Sequence, residues 1–348
     1  MRALSEMPTF GALPADAEYN PWRFCVAPML DWTDRHCRYF HRLLSENARL
    51  YSEMVTVGAM LHGNKPRHLR FDKAEHPVVL QIGGNDPDLL AECTQVADDF
   101  GYDEINLNCG CPSDRVQEGR FGACLMKRPD VVAECIGTMN KATGLPVTVK
   151  NRIGIDDSED YPFLKRFVAT VAAAGCTTFI VHARKAWLNG LSPKENREVP
   201  PLTYEHVYRL KQDFPDLTIV INGGIKSLDD CETHLQHVDG VMIGREAYEN
   251  PWMLAEVDAR LFGGTRRHMD RMALLRSYFP YVERELKAGT PLPHMSQHIL
   301  GLFRGEPGGR VFRRIISENA CKPGAGIEVL EAALAAIESG GIHELAAA

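Results

Sequence analysis

Eight short β-forming runs recur at nearly even spacing through the first two-thirds of the chain. They are FCVAPM (24–29), LYSEMVT (50–56), HPVVLQI (76–82), DEINLN (103–108), PVTVKNRI (146–153), TFIVHA (178–183), TIVING (218–223) and GVMIGRE (240–246). Apolar runs of this length, punctuated by Gly, Pro or Asn, have the pattern of strands buried on both faces. Amphipathic segments lie between them, among them 88–100, 129–142, 161–175 and 227–238. Strict alternation of strand and helix implies parallel pairing through right-handed crossovers. Eight such units over about 240 residues match the count and length of a closed α/β barrel, the TIM (β/α)8 fold. A doubly wound open sheet is the alternative, but no GxGxxG follows the first strand.

In such a barrel, chemistry sits at the C-terminal ends of the strands. Reading those ends gives Met29, Gln81, Asn108 to Cys111, Lys150, His182, Asn222-Gly223-Gly224 and Gly244-Arg245. These are the polar residues and glycines of otherwise apolar runs. Taken singly, Gln81 could satisfy backbone groups, and His182 could be a hydrogen-bonded core histidine. Lys150 has nowhere solvated to go except the barrel mouth. Cys111 stands between Gly110 and Pro112, which suits neither helix nor ladder, so the thiol is either a buried structural group or faces a ligand. Loops after the seventh and eighth strands commonly bind phosphate. NGGI (222–225) and IGRE (243–246) supply glycines for close backbone approach and Arg245 as a cation, although Gly223-Gly224 also suits a plain tight turn.

The apolar and charged fractions, 45% and 24%, are those of an ordinary globular protein. Ten cysteines form no CxxC pair, which points to a reducing, cytoplasmic setting. Cys109 and Cys111 make a CxC without a second ligand pair, so no metal is expected. No apolar run is long enough for a membrane span. Residues 1–22 read as an irregular lead, 23–263 as the barrel, and 264–348 as a small all-α helical domain after the Gly263-Gly264 break. Its expected helices are 269–289, 296–305, 309–320 and 326–340. The formal charge is −7, yet residues 264–322 hold eleven cations against five acids. Such asymmetry marks either a local surface for a polyanion or a solvated helical face.

A phosphate site facing a lysine and a glutamine suits a mononucleotide, and FMN is the natural candidate. Gln81 can hydrogen-bond the isoalloxazine edge, and Lys150 can stabilise negative charge near N1 and O2. The long ordered motifs VAPMLDWTDRHCRYF (26–40), QIGGNDP (81–87), NLNCGCPSDRVQEGRFGACLM (106–126), VTVKNRIGID (147–156), VHARKAWLNGLSPKENREVPPL (181–202), IGREAYENPW (243–252) and GLFRGEPGGRVFRR (301–314) then add a resemblance. Over roughly residues 22 to 320 the chain resembles the tRNA-dihydrouridine synthases of the DusA subfamily. Cys109 departs from the pattern, where relatives usually carry an aliphatic residue.

The resemblance implies that Pro28, Met29 and Leu30 border the flavin, and that Gln81, Lys150, His182, Asn222, Gly223, Gly224, Gly244 and Arg245 hold it. It makes Cys111 the general acid, puts Asn108 on the substrate, and gives Lys194, Arg197, Arg310 and Arg313 the task of orienting tRNA. The implied reaction is reduction of a D-loop uridine at positions 20 and 20a. NADPH reduces the flavin, hydride passes from flavin N5 to uracil C6, and Cys111 protonates C5. A thiol with an ordinary pKa of ~8.5 is already a proton donor at neutral pH. A monomer is expected. The competing readings are a small-molecule pyrimidine oxidoreductase of the dihydroorotate dehydrogenase type and a tRNA-binding chaperone.

Overall fold

A computed structural model describes residues 19–158, 160–266 and 270–339, with the Arg115 side chain left out. Eight strands run in chain order around a closed, all-parallel barrel. They are β1 (Phe24–Val26), β2 (Arg49–Thr56), β3 (Val78–Gly83), β4 (Glu104–Cys109), β5 (Val147–Arg152), β6 (Thr178–His182), β7 (Thr218–Asn222) and β8 (Gly240–Ile243). Pairing of β1 with β8 closes the cylinder and excludes the open sheet. The first and last expected strands overshoot most, by three residues each; at the last, Gly244 turns the chain and a helix begins at Arg245. Asp86 caps the helix Pro87–Phe100, with Pro87 in its first turn, and Gly101 ends it in the left-handed conformation.

Side chains alternate across each strand, and the two faces differ in chemistry. One face carries Phe24, Leu50, Leu80, Ile105, Val149, Val181 and Ile221 into the layer shared with the outer helices. The other fills the barrel, partly with Cys25, Tyr51, Val79, Ile180, Val220 and Met242. The β4 and β5 interior positions are polar: Glu104, Asn106, Asn108, Thr148 and Lys150. The expectation of strands apolar on both faces therefore fails for this wall. Arg49 Nε donates to Glu104 Oε2 at 2.6 Å across the interior from β2, and both residues are buried. Trp22 also belongs to the barrel. Its indole Nε1 donates to Glu104 Oε2 at 2.8 Å, and a Cβ on Gly240 would lie 2.1 Å from the Trp22 carbonyl oxygen. Residues 1–18 of the expected lead lie outside the described residues.

After the barrel the chain continues as helices, Arg271–Lys287, Pro293–Ser296, Gly309–Asn319 and Ile327–Glu338. The expected helix 296–305 is absent. Those residues form short turns, and Gly301 passes so close to the 245–249 helix that a Cβ would lie 2.4 Å from the Glu249 carbonyl oxygen. Helix Arg271–Lys287 and the turns that follow it pack on the first barrel helix, Arg35–Leu44, and helices Gly309–Asn319 and Ile327–Glu338 pack on each other. Glu285 accepts from Arg35 at 2.5 Å and from Arg70 at 2.8 Å, Tyr281 Oη meets His36 Nδ1 at 2.7 Å, and His298 Nε2 meets Asp34 at 3.0 Å. Burial alone would raise the Asp34 pKa, but His298 and the helix N-terminus hold it near about 2. No helix among the described residues is long and apolar enough to cross a membrane.

Breaking a buried ion pair from one side strands the other charge. Arg49→Met is therefore expected to lose about 3–5 kcal/mol of stability in urea unfolding. A loss under about 1 kcal/mol would show that Glu104 does not depend on this partner.

Candidate active site

The thiol singled out by sequence sits on a loop built by three separate devices. β4 ends at Cys109, and Asn108 Oδ1 turns back to accept the backbone N–H groups of both Gly110 and Cys111 at 3.0 Å. The Cys111 carbonyl accepts from Ala123 N at 2.9 Å. Gly122 lies beneath it at φ +74°, where a Cβ would come within 2.6 Å of that carbonyl oxygen and 2.4 Å of Val116 Cγ1. The GACLM motif is thus the bed of the cysteine loop, and Gly122 is required by both conformation and space. Cys111 is partly exposed, with Ser113 Oγ 3.4 Å from its sulfur. Cys109, two residues earlier, is buried in the helix-packed layer, and burial pushes its thiol far up. The two thiols therefore differ in environment, one buried and one accessible.

Arg152, at the end of β5, was not singled out from sequence. Its Nε donates to the Gly110 carbonyl at 2.9 Å, and its Nη1 to the carbonyls of Lys185 (3.0 Å) and Asn196 (2.9 Å). One buried guanidinium thus ties the cysteine loop to the long loop after β6. Burial, with Arg197 and Arg184 nearby, draws its pKa down to about 10. The only sequence signal was a charged residue ending an interior strand.

Lys150 Nζ donates to Asn222 Oδ1 at 3.0 Å across the barrel from β5 to β7. Burial and the neighbouring Arg152 cation lower its pKa to about 7. Burial also drives His182 well below its usual range, with the Arg152, Lys150, Arg184 and Arg197 charges adding to the effect. It is therefore a neutral imidazole at pH 7. Gly223 and Gly224 take φ +117° and +71° in succession, so both positions call for glycine. A Cβ on Gly223 would lie 2.7 Å from the His182 ring, and one on Gly224 2.5 Å from Leu202. Consecutive backbone groups held this way suit an anion.

Arg245, next to Gly244, pairs with Glu198 of the long β6 loop at 2.6 Å. Arg184, close enough to feel the Arg245 charge, has a buried Nε without a partner. A Cβ on Gly244 would lie 3.5 Å from Met29 Sδ, so the β1 and β8 loops meet there. Pro28 is partly buried and Leu30 is 71% exposed on the same β1 loop.

Gln81, Asn108, Cys111, Lys150, His182 and Asn222 thus lie at one end of the cylinder. Lys194 and Arg197 are exposed on the β6 loop, and Arg197 is near enough to act on His182. Arg310 and Arg313 lie on the 309–319 helix instead. Most other cations of the C-terminal segment are internally paired: Arg266 with Glu256, Arg271 with Glu306, Arg276 with Glu338, Arg284 with Asp72, and Arg304 with Glu246 and Glu249. Arg310, Arg313 and Arg314 have no carboxylate partner among the described residues.

A closed parallel barrel with its cations, neutral histidine and glycine cradle gathered at the strand ends is an enzyme of the TIM-barrel class. The family model described as "Dihydrouridine synthase (Dus)" matches residues 25–338, and the chain belongs to that family. It is 61% identical over 316 residues to the tRNA-dihydrouridine(20/20a) synthase of Vibrio cholerae, covering 90% of this chain and 96% of that one. It is 58% identical over 336 residues to the enzyme of the same name from Yersinia pestis, covering 96% and 97%. Among solved structures, a 2-naphthoyl-CoA reductase complex superimposes with a TM-score of 0.53 at 10% identity, over 68% of this chain and 50% of that one. That likeness concerns the fold alone.

Two outcomes follow from the geometry. Gly122→Ala is expected to destabilise the protein by about 1–3 kcal/mol, because φ stays positive and the new methyl meets the Cys111 carbonyl; unchanged thermal stability would refute the requirement. Lys150 binds its proton less tightly when folded (about 7) than at its ordinary 10.5, so the unfolded chain holds more protons between those values. Stability of the ligand-free protein should therefore gain with rising pH across that window, relative to Lys150→Met. Parallel pH profiles of the two proteins would contradict it.

Proposed function

We propose that this protein is a cytoplasmic, FMN-dependent and NADPH-driven tRNA-dihydrouridine(20/20a) synthase that reduces uridine in the tRNA D-loop. The observation that carries the reading is the pairing of an accessible, rigidly held thiol with a cationic mouth and glycine cradle, in a chain about 60% identical to enzymes of that name.

The residues present fit FMN. The Gly223-Gly224 cradle, which a Cβ would fill, and the partnerless Arg184 Nε suit its phosphate, with Arg245 and Gly244 beside them. Gln81, Lys150, His182 and Asn222, with Pro28, Met29 and Leu30 at the rim, would hold the ring. When bound, the flavin supplies hydride to the pyrimidine after reduction by NADPH. An anionic group beside Lys150 favours its ammonium form, opposing the burial that lowers its pKa in the free protein, and makes it the local cation. His182 stays neutral and can donate one hydrogen bond without adding charge. Cys111 Sγ delivers the proton to the opposite carbon of the double bond, and Asn108 fixes the backbone that carries it.

The target base must leave the folded D-loop, which costs a few kcal/mol. Lys194 and Arg197 at the mouth, with Arg310 and Arg313 on the 309–319 helix, are the groups that would hold the tRNA backbone. This assigns tRNA binding to the helical segment 264–348 and chemistry to the barrel 23–263. A small-molecule oxidoreductase would have no use for three arginines on one helix that lack a carboxylate partner among the described residues. The expected oligomeric state is a monomer.

The purified protein should be yellow, bleach with NADPH, and reoxidise faster when unmodified tRNA is added. Cys111→Ala should keep its flavin and lose about 10²–10⁴-fold in dihydrouridine formation. Retention of the whole biological effect by Cys111→Ala despite that loss would favour a chaperone role, and undiminished dihydrouridine formation would remove Cys111 as the acid. Reversing Arg310 and Arg313 to Glu should weaken tRNA binding and flatten its salt dependence while leaving flavin content intact. Loss of flavin instead would overturn the division of labour.

A further inference from the structure

The buried side chains on the polar wall of the barrel form one hydrogen-bonded column. At its upper end, the Gly110 and Cys111 backbone N–H groups donate to Asn108 Oδ1. Asn108 Nδ2 donates to Gln81 Oε1 at 2.8 Å, and Gln81 Nε2 donates to Asn106 Oδ1 at 2.8 Å. Asn106 Nδ2 donates to Thr148 Oγ1 at 2.8 Å, and the Thr148 hydroxyl donates to Glu104 Oε1 at 2.6 Å. All five side chains are buried.

The two ends fix the direction of everything between them. A backbone N–H can only donate. Glu104 receives four donors, from Arg49, Trp22, Tyr51 and Thr148, and so acts only as an acceptor. An amide is nearly isosteric with its flipped form, so shape alone does not orient Asn106, Gln81 or Asn108. Flipping any one would set two donors or two acceptors face to face in a buried interior, which is costly. Each amide therefore keeps a defined, uncommitted N–H, and Asn108 keeps its oxygen on the cysteine loop.

We propose that Glu104, Asn106 and Thr148 are positioning residues: through this column they set the orientation of Gln81 and Asn108 and thereby hold the Cys111 backbone. The catalytic part of this inference rests on the flavin-dependent reading above, but the structural part does not. Thr148→Val preserves shape and removes the one group that both accepts from Asn106 and donates to Glu104. Thr148→Ser restores it.

In the ligand-free protein, amide hydrogen exchange at Gly110 and Cys111 should speed up by about tenfold or more in Thr148→Val and return toward wild type in Thr148→Ser. In the FMN-loaded protein, Thr148→Val should shift the flavin absorption bands. It should also lower kcat for unmodified tRNA by roughly tenfold, with KM within about twofold, and Ser should again rescue. If Thr148→Val does not fold, Asn106→Ser is the substitute, since its short hydroxyl cannot span from Gln81 to Thr148.

Unchanged exchange at Gly110 and Cys111, with any loss confined to melting temperature, overturns the proposal whether or not flavin binds. Failure of the wild-type protein to bind FMN or reduce tRNA overturns the functional reading instead. The exchange measurement still decides the column.

Discussion

The Glu104 carboxylate is the fixed point of this barrel. Arg49, Trp22, Tyr51 and Thr148 converge on its two oxygens from the N-terminal segment, β2 and β5. A buried charge is tolerated only when paired and fully hydrogen-bonded, and these four contacts meet that demand. The same interaction resists register errors. A one-residue slip of β4 would turn Glu104 into the apolar helix layer and bring Ile105 inside. Barrels of this class usually fill their interior with branched apolar layers. Here Val79, Ile180, Val220 and Met242 supply such a filling on one side, while β4 and β5 run polar from floor to mouth.

That division explains what was readable in the sequence. The eight strands were legible because each carries an outward apolar face packed by a helix, which keeps every run hydrophobic on average. The interior was less legible. E-I-N-L-N and T-V-K alternate with period two, yet their isoleucine, leucine and valine residues made them resemble strands buried on both faces. Gln81, Lys150 and His182 stood out because they are polar residues in the C-terminal halves of otherwise apolar runs. Asn106 and Thr148 did not, being one pleat deeper. Arg152 escaped notice because its role exists only where loops distant in sequence meet: Gly110, Lys185 and Asn196.

The charge asymmetry shows the opposite error, a signal too broad rather than too faint. Counting cations over 264–322 marks a whole segment as basic. Several of those arginines reach carboxylates outside the counted window: Asp72, Glu246, Glu249, Glu256 and Glu338. Such pairs fasten the helical segment to the barrel and to itself, and they leave little field for a ligand. Among the described residues Lys287 and Lys322 also lack a carboxylate partner, but Arg310, Arg313 and Arg314 cluster at spacings of three and four on one helix, the geometry of a single basic face. Sequence gave the sign of the charge, whereas folding decided which of it stays available.

At the mouth, charge is concentrated rather than relieved. Lys150, Arg152, Arg184 and Arg197 gather around His182, Arg245 lies beside Arg184 and Arg197, and its carboxylate partner is Glu198. The ligand-free protein reduces this repulsion by its own chemistry, with His182 held neutral and the Lys150 pKa lowered to about 7. An incoming anion eases the pressure on Lys150, because a negative group stabilises a cation that is otherwise destabilised by burial and by its neighbours. Glu198 sits on the long β6 loop and holds the cation expected to meet phosphate. An anion arriving at Arg245 must therefore share it with Glu198 or release it, while Arg152 keeps its hold on the Lys185 and Asn196 carbonyls of the same loop.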